Sequence, residues 1–285
     1  EEIVFAATGS EADNWAILGS VDTLEKPHLI TSSIEHGAVS KVFRSLERQG
    51  CRVTWLDVDK NGALDIDGLK NALSDETKLV SLMLANNETG ILFPVAEIGE
   101  MIKEHSNALF HVDGVNAVGK VPIDLKSTKV DLFSLAGHKF YGPKGVGALY
   151  IRSGVELPPV VVGGGQERGR RSGTEAVHQI VGLGAAARLV RDMSSIERIR
   201  GLRDRLESGI LNSVPNTYLN GTADPEKRLP NTSSISFAGV NGEMLMARLD
   251  DLEVCVSTGS ACHSQDKAAS GVLQAMDIPY ERAMG

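Results

Sequence analysis

The sequence predicts an α/β protein: a large domain on a mostly parallel sheet, followed by a smaller α+β domain. Three observations carry that expectation. From residue 2 to about 151, short apolar runs alternate with amphipathic stretches, the pattern of strands joined by helices that cover both faces of a sheet. After Pro215 the texture changes to short strands around one helix. The composition, 42% hydrophobic and 23% charged over 285 residues, supplies enough apolar material for the core of one to two domains.

In chain order, the predicted strands of the large domain are 3–7 (IVFAA), 28–31 (HLIT), 52–56 (RVTWL), 79–85 (LVSLMLA), 108–112 (ALFHV), 131–135 (DLFSL) and 147–151 (GALYI). Helices are expected between most of them, at 11–20, 36–49 (closed by Gly50), 65–73 and 95–105. A glycine-rich loop, GGGQERGRRSGT at 163–174, follows, and helical patterns then fill 175–191 and 195–213. Beyond Pro215 come strands at 235–237 (ISF) and 253–256 (EVCV), with a helix at 242–250. The domain boundary is expected near residue 195, giving domains 1–195 and 196–285. There are no internal repeats and no low-complexity tracts. EEIVFAA already reads as a strand and IPYERAMG as a helix still running, so both ends read as cut.

The charge balance, 29 Lys+Arg against 37 Asp+Glu for a net −8, builds no basic face for nucleic acid and no polybasic helix for an anionic membrane. No apolar run approaches the ~20 residues of a membrane span, and no signal peptide is visible. Cys51, Cys255 and Cys262 are an odd count at scattered spacings, which argues against a disulfide framework and for a reducing compartment. The expected location is cytoplasmic, or an organelle matrix if a transit peptide has been lost. Histidines and cysteines lack zinc-ligand spacing, so no metal is expected.

The chemistry concentrates where predicted strands end. In DLFSLAGHKFYGPKGVGAL (131–149), His138 and Lys139 stand where an apolar run gives way to a Gly/Pro-rich loop. Packing explains an amine there poorly; a Schiff base with a carbonyl cofactor explains it well. Thr8-Gly9-Ser10-Glu11 opens a helix. Gly9 permits close approach of the backbone, Ser10 can cap, and a helix N-terminus attracts an anion, although a simple cap is the plainer reading. In HVDGVN (111–116), Asp113 is either a turn aspartate or a carboxylate that keeps a pyridinium nitrogen protonated. Asn87, in ANNETG, serves a ring substituent or an ordinary turn. His36 opens a helix, placed to stack on a flat cofactor or simply to face solvent. Cys262, in VSTGSACHS (256–264), lies between a strand and a helix, where exposure and a helix N-terminus suit a thiolate, although an inert half-buried thiol is the plainer reading of the loop alone.

Two segments are decoys. DVDKNGALDIDG (57–68) matches a calcium loop at Asp57, Asp59, Asn61 and Gly62 but has Gly68 where a bidentate Glu is required. Gly163–Gly165 lacks the βαβ context of a dinucleotide fingerprint.

In this order, SEADN, EHGAV, NNETG, HVD, GHKFYGPKG, GGGQERGRRSGT and GSACHS resemble the cysteine desulfurases, pyridoxal-phosphate enzymes of fold type I in the class V aminotransferases. The similarity covers nearly the whole chain. It implies a pyridoxal 5'-phosphate-dependent transferase fold and a homodimer. The implied reaction converts L-cysteine to L-alanine, with sulfur passing to an enzyme cysteine and on to an acceptor protein for iron–sulfur cluster or other sulfur-cofactor assembly. By resemblance, Lys139 holds the cofactor and moves protons at the substrate carbon. Asp113 pairs with the ring nitrogen, His36 stacks on the ring, and Asn87 and Asn116 lie near the ring hydroxyl. Gly9, Ser10 and His138 bind phosphate, and Thr174 reaches the partner subunit's cofactor. Cys262 attacks the substrate sulfur to form the persulfide.

The chain also departs from the family's pattern. Asn116 stands where Gln is usual, Ala136 where Ser commonly precedes Gly-His-Lys, and Ser10 where Thr is usual. The family's N-terminal segment, and the arginine expected shortly beyond Gly285 to bind the substrate carboxylate, lie outside the sequence. ACHS in place of ACTS keeps selenocysteine lyase as the nearest rival. The departures also motivate a catalytically impaired scaffold as a rival from another class. A nucleotide-binding α/β protein would need a phosphate-loop fingerprint that is not there.

Overall fold

The computed structural model describes residues 2–259 and 269–285. Its main sheet has seven strands: β1 (Ile3–Ala6), β2 (His28–Ser32), β3 (Arg52–Leu56), β4 (Thr77–Met83), β5 (Leu109–Asp113), β6 (Leu132–Ala136) and β7 (Gly147–Ile151), in the order β1-β7-β6-β5-β4-β2-β3. The pairs β3/β2, β2/β4, β4/β5 and β5/β6 are parallel, whereas β7 runs antiparallel to both β6 and β1. The mostly parallel sheet is therefore present.

Parallel strands need helical crossovers. These are α1 (Gly9–Gly19), α2 (Gly37–Arg48), α3 (Ile66–Ala72) and α4 (Val95–His105). They cover both faces of the sheet. On one face Leu69 of α3 and Ile98 and Ile102 of α4 pack on Val80, Leu82, Phe110 and Val112. On the other, Ile17 of α1 and Val39, Phe43 and Leu46 of α2 pack on Leu29 and Leu79. Side chains alternate along a strand, so Phe110 and Val112 enter the first core while His111 and Asp113 share the α1/α2 face. That alternation sends the chemistry to one side. At roughly 1.5–3 kcal/mol per fully buried large apolar side chain, the two cores supply the rigidity on which the strand ends are mounted.

The remaining elements are α5 (Val177–Leu189), α6 (Ile196–Ser213), β8 (Thr217–Leu219), β9 (Ile235–Phe237), α7 (Gly242–Asp250), α8 (Gly271–Ala275) and α9 (Tyr280–Ala283). Antiparallel β8 and β9 form a separate two-stranded sheet. We propose the division at residue 195 because the seven-stranded sheet lies wholly before it and the small sheet wholly after. The two parts are stitched together: Ile91 bridges Arg228, and Leu229, Val272 and Met276 enter the main core.

Two expectations fail. Residues 253–256 form no strand, and Val254 and Val256 are 46% and 47% exposed. An alternating run needs a neighbouring strand, and β9 pairs with β8, a three-residue strand too short to show periodicity in the sequence. β4 also ends at Met83, two residues before its predicted end, whereas β5 and β6 extend to Asp113 and Ala136.

Gly114 shows how tightly the strand ends are packed. A Cβ there would sit 1.8 Å from Phe133 Cζ, inside the ring's van der Waals surface. Gly114→Ala is expected to lower the unfolding free energy by about 3 kcal/mol, measured by urea titration, because a clash of this depth in a filled core forces the backbone to move. A change below about 0.5 kcal/mol, the range of a benign surface substitution, would show that Phe133 rotates away freely.

Candidate active site

The site forms where the carboxyl ends of β4, β5 and β6 meet the N-termini of α1 and α2, the crevice where open α/β sheets place ligands. Asp113 is the last residue of β5 and is buried, and its Oδ1 accepts the Val115 amide at 2.9 Å. Burial pushes its carboxyl up to about 6; the Val115 hydrogen bond and the positive charge of Lys139 pull the other way. Lys139 and His138 are exposed on a single 3₁₀ turn, Gly137–Phe140, directly after β6. The turn closes on Tyr141 in the left-handed region (φ 67°), with the Gly142 amide donating to the Gly137 carbonyl at 2.9 Å. Burial lowers the His138 pKa, and the cations of Lys139 and Lys144 lower it further.

Gly9 brings α1 into this arrangement. A Cβ there would lie 2.8 Å from Val115 Cγ2 and 3.1 Å from Ala136 Cβ, so only glycine lets the helix start touch the ends of both β5 and β6. The cap is Thr8, whose Oγ1 accepts the Glu11 amide at 3.0 Å. Ser10 was expected to cap but lies inside the helix, exposed. A cap accepts from an amide two or three residues on, and Thr8 is the residue at that distance with extended backbone. The first-turn amides and the Ser10 side chain are thereby left at the open end, a geometry suited to an anion. Glu11 would oppose an anion there, but Arg171 neutralises it with bonds of 2.7 and 3.1 Å to its two oxygens. The sequence reading missed this pair, which fastens the 163–174 loop to α1.

His36 caps α2, with Nδ1 accepting the Ala38 amide at 3.1 Å, and its ring is half-buried. In the 85–90 loop the asparagines divide the work. Buried Asn86 donates to the Ile34 carbonyl at 3.1 Å and accepts the Glu88 and Thr89 amides, each at 2.9 Å. Asn87 stands half-buried at the tip of the loop. Asn116 donates to the Asn86 carbonyl at 3.3 Å and accepts Lys120 Nζ at 2.9 Å. Burial, followed by the charge of Lys139, pushes the Lys120 amine down to about 8.

Gly9, Asp113, His138 and Lys139 thus converge. Thr174 lines a cavity of about 160 Å³ with Phe5, Ala7, Arg171 and Ile180. Cys262 lies outside the described residues. The described residues on either side of that segment both meet Glu88: Ser270 Oγ donates to its carboxylate, and a Cβ on Gly259 would lie 3.5 Å from Glu88 Oε2. Among the described residues no group of His, Cys, Asp and Glu could hold a metal ion, and no helix is long and apolar enough to cross a membrane.

Beneath the crevice the sequence reading missed a buried polar layer, although SEADN, IEH and HVD contain its members. Glu35 Oε1 accepts Ser32 Oγ at 2.6 Å and the Met83 amide at 3.0 Å, tying the His36 loop to the end of β4. Burial raises Glu35 from 4.5 to about 8. The folded state therefore binds this proton more tightly than the unfolded state. Its contribution to stability is fully present below pH 4.5 and is lost as pH rises to 8. Glu35→Gln is expected to flatten that fall, narrowing the loss in unfolding free energy between pH 5 and 8 by on the order of 2–4 kcal/mol. Parallel urea titrations of the two proteins test this, and identical pH slopes would rule it out.

Residues 1–276 match the aminotransferase class V family model. The chain is 48% identical to "Cysteine desulfurase 2" of Trichormus variabilis over 98% of its own length and 70% of that protein's. It is also 48% identical to "Cysteine desulfurase IscS" of Clostridium botulinum, over 100% of its own length and 72% of the relative's. Among solved structures, a "NIFS-LIKE PROTEIN" superposes with a TM-score of 0.91 at 36% identity, covering 100% of this chain and 75% of that one. "SspA in complex with cysteine" superposes at 0.83 with 34% identity, covering 99% and 79%. The fold, the order of motifs at the strand ends and these likenesses agree, and the chain belongs to the class V aminotransferases, among the cysteine desulfurases.

Proposed function

We propose that this protein is a pyridoxal-phosphate-dependent cysteine desulfurase. It converts L-cysteine to L-alanine and leaves the sulfur as a persulfide on Cys262, for transfer to an acceptor protein that builds iron–sulfur clusters or other sulfur cofactors. The observation that carries the reading is the pairing of an exposed amine, Lys139, with the buried carboxyl of Asp113 beside the glycine-opened start of α1. Support also comes from the solved relative described as being in complex with cysteine.

The residues present fit the cofactor. The cradle at Gly9, which a Cβ would fill, together with the first-turn amides, Ser10 and His138, suits a phosphate. Asp113, whose oriented carboxyl burial pushes up and a neighbouring cation draws back toward its charged form, suits a protonated ring nitrogen. His36 lies at the next helix start for stacking, and Asn87 serves the ring hydroxyl. Asn116, one methylene shorter than the usual glutamine, has its side chain committed to Lys120 and to the Asn86 carbonyl, so we assign it to holding the Asn87 loop. Ala136 offers no hydroxyl to the phosphate. When bound, pyridoxal phosphate supplies an aldehyde and an electron-withdrawing ring.

Lys139 takes the proton from the substrate's α-carbon. The Cys262 thiolate attacks the substrate sulfur, and the S–S bond forms as the C–S bond breaks. Proton return to the carbon skeleton completes alanine. By the resemblance, Thr174 is assigned to the partner's site in a homodimer. The setting we propose is the reducing cytoplasm, in keeping with the free thiols of Cys51 and Cys255.

The test is turnover by the cofactor-loaded full chain, with alanine, persulfide and released sulfide measured from cysteine, and alanine and selenide from selenocysteine. Alanine with persulfide from cysteine is expected. Turnover of selenocysteine alone would move the assignment to selenocysteine lyase. Failure to take up the cofactor would favour a scaffold.

A further inference from the structure

Glu88 follows Asn87 in the loop after β4, and its backbone is fixed from beneath. Buried Asn86 accepts the Glu88 and Thr89 amides with one side-chain oxygen, each at 2.9 Å, and donates to the Ile34 carbonyl at 3.1 Å. The Asn86 carbonyl accepts the Gly90 amide at 3.1 Å and the Asn116 side chain at 3.3 Å. The half-buried Glu88 side chain is thus carried on a loop tied to the carboxyl edge of the sheet.

One oxygen of that side chain, Oε2, accepts the Ser270 hydroxyl. Ser270 caps α8: its Oγ accepts the Val272 and Leu273 amides at 3.1 and 3.3 Å, and both residues are buried in the main core. A serine hydroxyl has one proton and two lone pairs. The cap occupies the lone pairs and Glu88 takes the proton, so Ser270 joins a core-anchored helix to the Asn87 loop. The same Oε2 meets Gly259, where a Cβ would lie 3.5 Å from it and 3.8 Å from Ser270 Cβ. Gly259 has φ +89°, in the left-handed region that favours glycine, and its carbonyl accepts Ser257 Oγ at 2.7 Å. Gly259 and Ser270 stand on either side of the segment that contains Cys262. They come together at a single carboxylate oxygen, next to Asn87.

We propose that Glu88 is a positioning residue for sulfur transfer, clamping Gly259 and Ser270 to the Asn87 loop so that the chain between them, with Cys262, departs from and returns to the cofactor side of the crevice. Cys262 lies three residues beyond Gly259, so a shift of Gly259 passes to the thiol with little chain to absorb it. Fixing both ends confines the nucleophile near its target, and orientation of this kind accelerates a reaction by orders of magnitude. The role needs only an oxygen that accepts from Ser270, and it adds no proton transfer to the reaction. The consequence for sulfur rests on the reading of Cys262 given above; the clamp does not.

The experiment uses the full chain, loaded with pyridoxal phosphate, in single turnovers with L-cysteine. Glu88→Ala should bind the cofactor, and change colour on adding cysteine, within about twofold of wild type, yet form persulfide on Cys262 at least roughly tenfold more slowly by alkylation and mass spectrometry. Glu88→Gln keeps an accepting oxygen and should recover at least about a third of the wild-type rate. On the cofactor-free protein, trypsin cleavage after Lys267 should rise about fivefold or more in Glu88→Ala and stay near wild type in Glu88→Gln. If Glu88→Ala does not fold, Ser270→Ala removes the same bond from its other side and must show the same slower persulfide and faster cleavage. Persulfide formation in Glu88→Ala within about twofold of wild type, or unchanged cleavage, would overturn the proposal. So would Glu88→Gln as slow as Glu88→Ala, because the charge and not the accepting oxygen would then matter. A loss of cofactor affinity of about tenfold in Glu88→Ala would also overturn it, by placing the effect at the cofactor. Faster cleavage in Glu88→Ala, but no persulfide in wild type, would leave the clamp standing while overturning its role in sulfur transfer and the assignment of Cys262 itself.

Discussion

Lys139→Ala is expected to reduce cysteine turnover by roughly 10³-fold or more, because the proposed function makes one side chain both the covalent anchor and the proton carrier. The loss should come without unfolding. Lys139 is exposed on a turn set by backbone bonds at Gly137 and Gly142, so the unfolding free energy of the cofactor-free protein should change by no more than about 0.5 kcal/mol. Borohydride treatment of the loaded wild type should leave a cofactor adduct on Lys139, located by peptide mass spectrometry, and none in the variant. The competing amine is Lys120, which burial pushes down to about 8, so that it gives up its proton more readily than an ordinary lysine. Its Nζ, however, is held by the Asn116 carbonyl at 2.7 Å and by the Asn116 side chain at 2.9 Å. Approaching a carbonyl carbon would break both bonds in a half-buried place. An adduct on Lys120 in wild type would refute the assignment.

The second large effect separates sulfur transfer from cofactor chemistry. Cys262→Ala should keep the yellow colour of the bound cofactor and its affinity for cysteine, yet lose enzyme persulfide and reduce alanine formation by roughly 10³-fold, since no other nucleophile is assigned to the sulfur. Persulfide is read by alkylation and mass spectrometry after one turnover. Equal persulfide in both proteins would shift the role to exposed Cys255 or require another mechanism. Loss of colour together with activity would instead mean that the 256–264 segment helps to hold the cofactor.

The parallel sheet was legible in the sequence because its central strands are buried on both faces. Strands of that kind appear as near-continuous apolar runs, and LVSLMLA and ALFHV are such runs. The site was legible for a related reason. Where an apolar run stops at Asp113 or at His138-Lys139, the chain has reached the carboxyl edge of the sheet, and a charged residue there has a reason other than packing. The failures are nonlocal. EVCV carries a strand's alternation but has no neighbouring strand to pair with among the described residues, while TYL at 217–219 is too short to announce itself and becomes a strand because Ile235–Phe237 lies beside it. Ser10 looked like the cap because capping types cluster there; backbone geometry chose Thr8.

Residue order therefore settled the class of fold, and it supplied the candidates we propose for the amine, its carboxyl partner and the nucleophile, since these depend on local pattern and on residue chemistry. Folding alone decided which groups meet. Gly9 against Val115 and Ala136, Arg171 against Glu11, Asn116 against Asn86, and His111 between Ser81 and Ser134 all join residues far apart in sequence. Their protonation follows from desolvation and neighbouring charge, quantities that exist only once the core has closed around them.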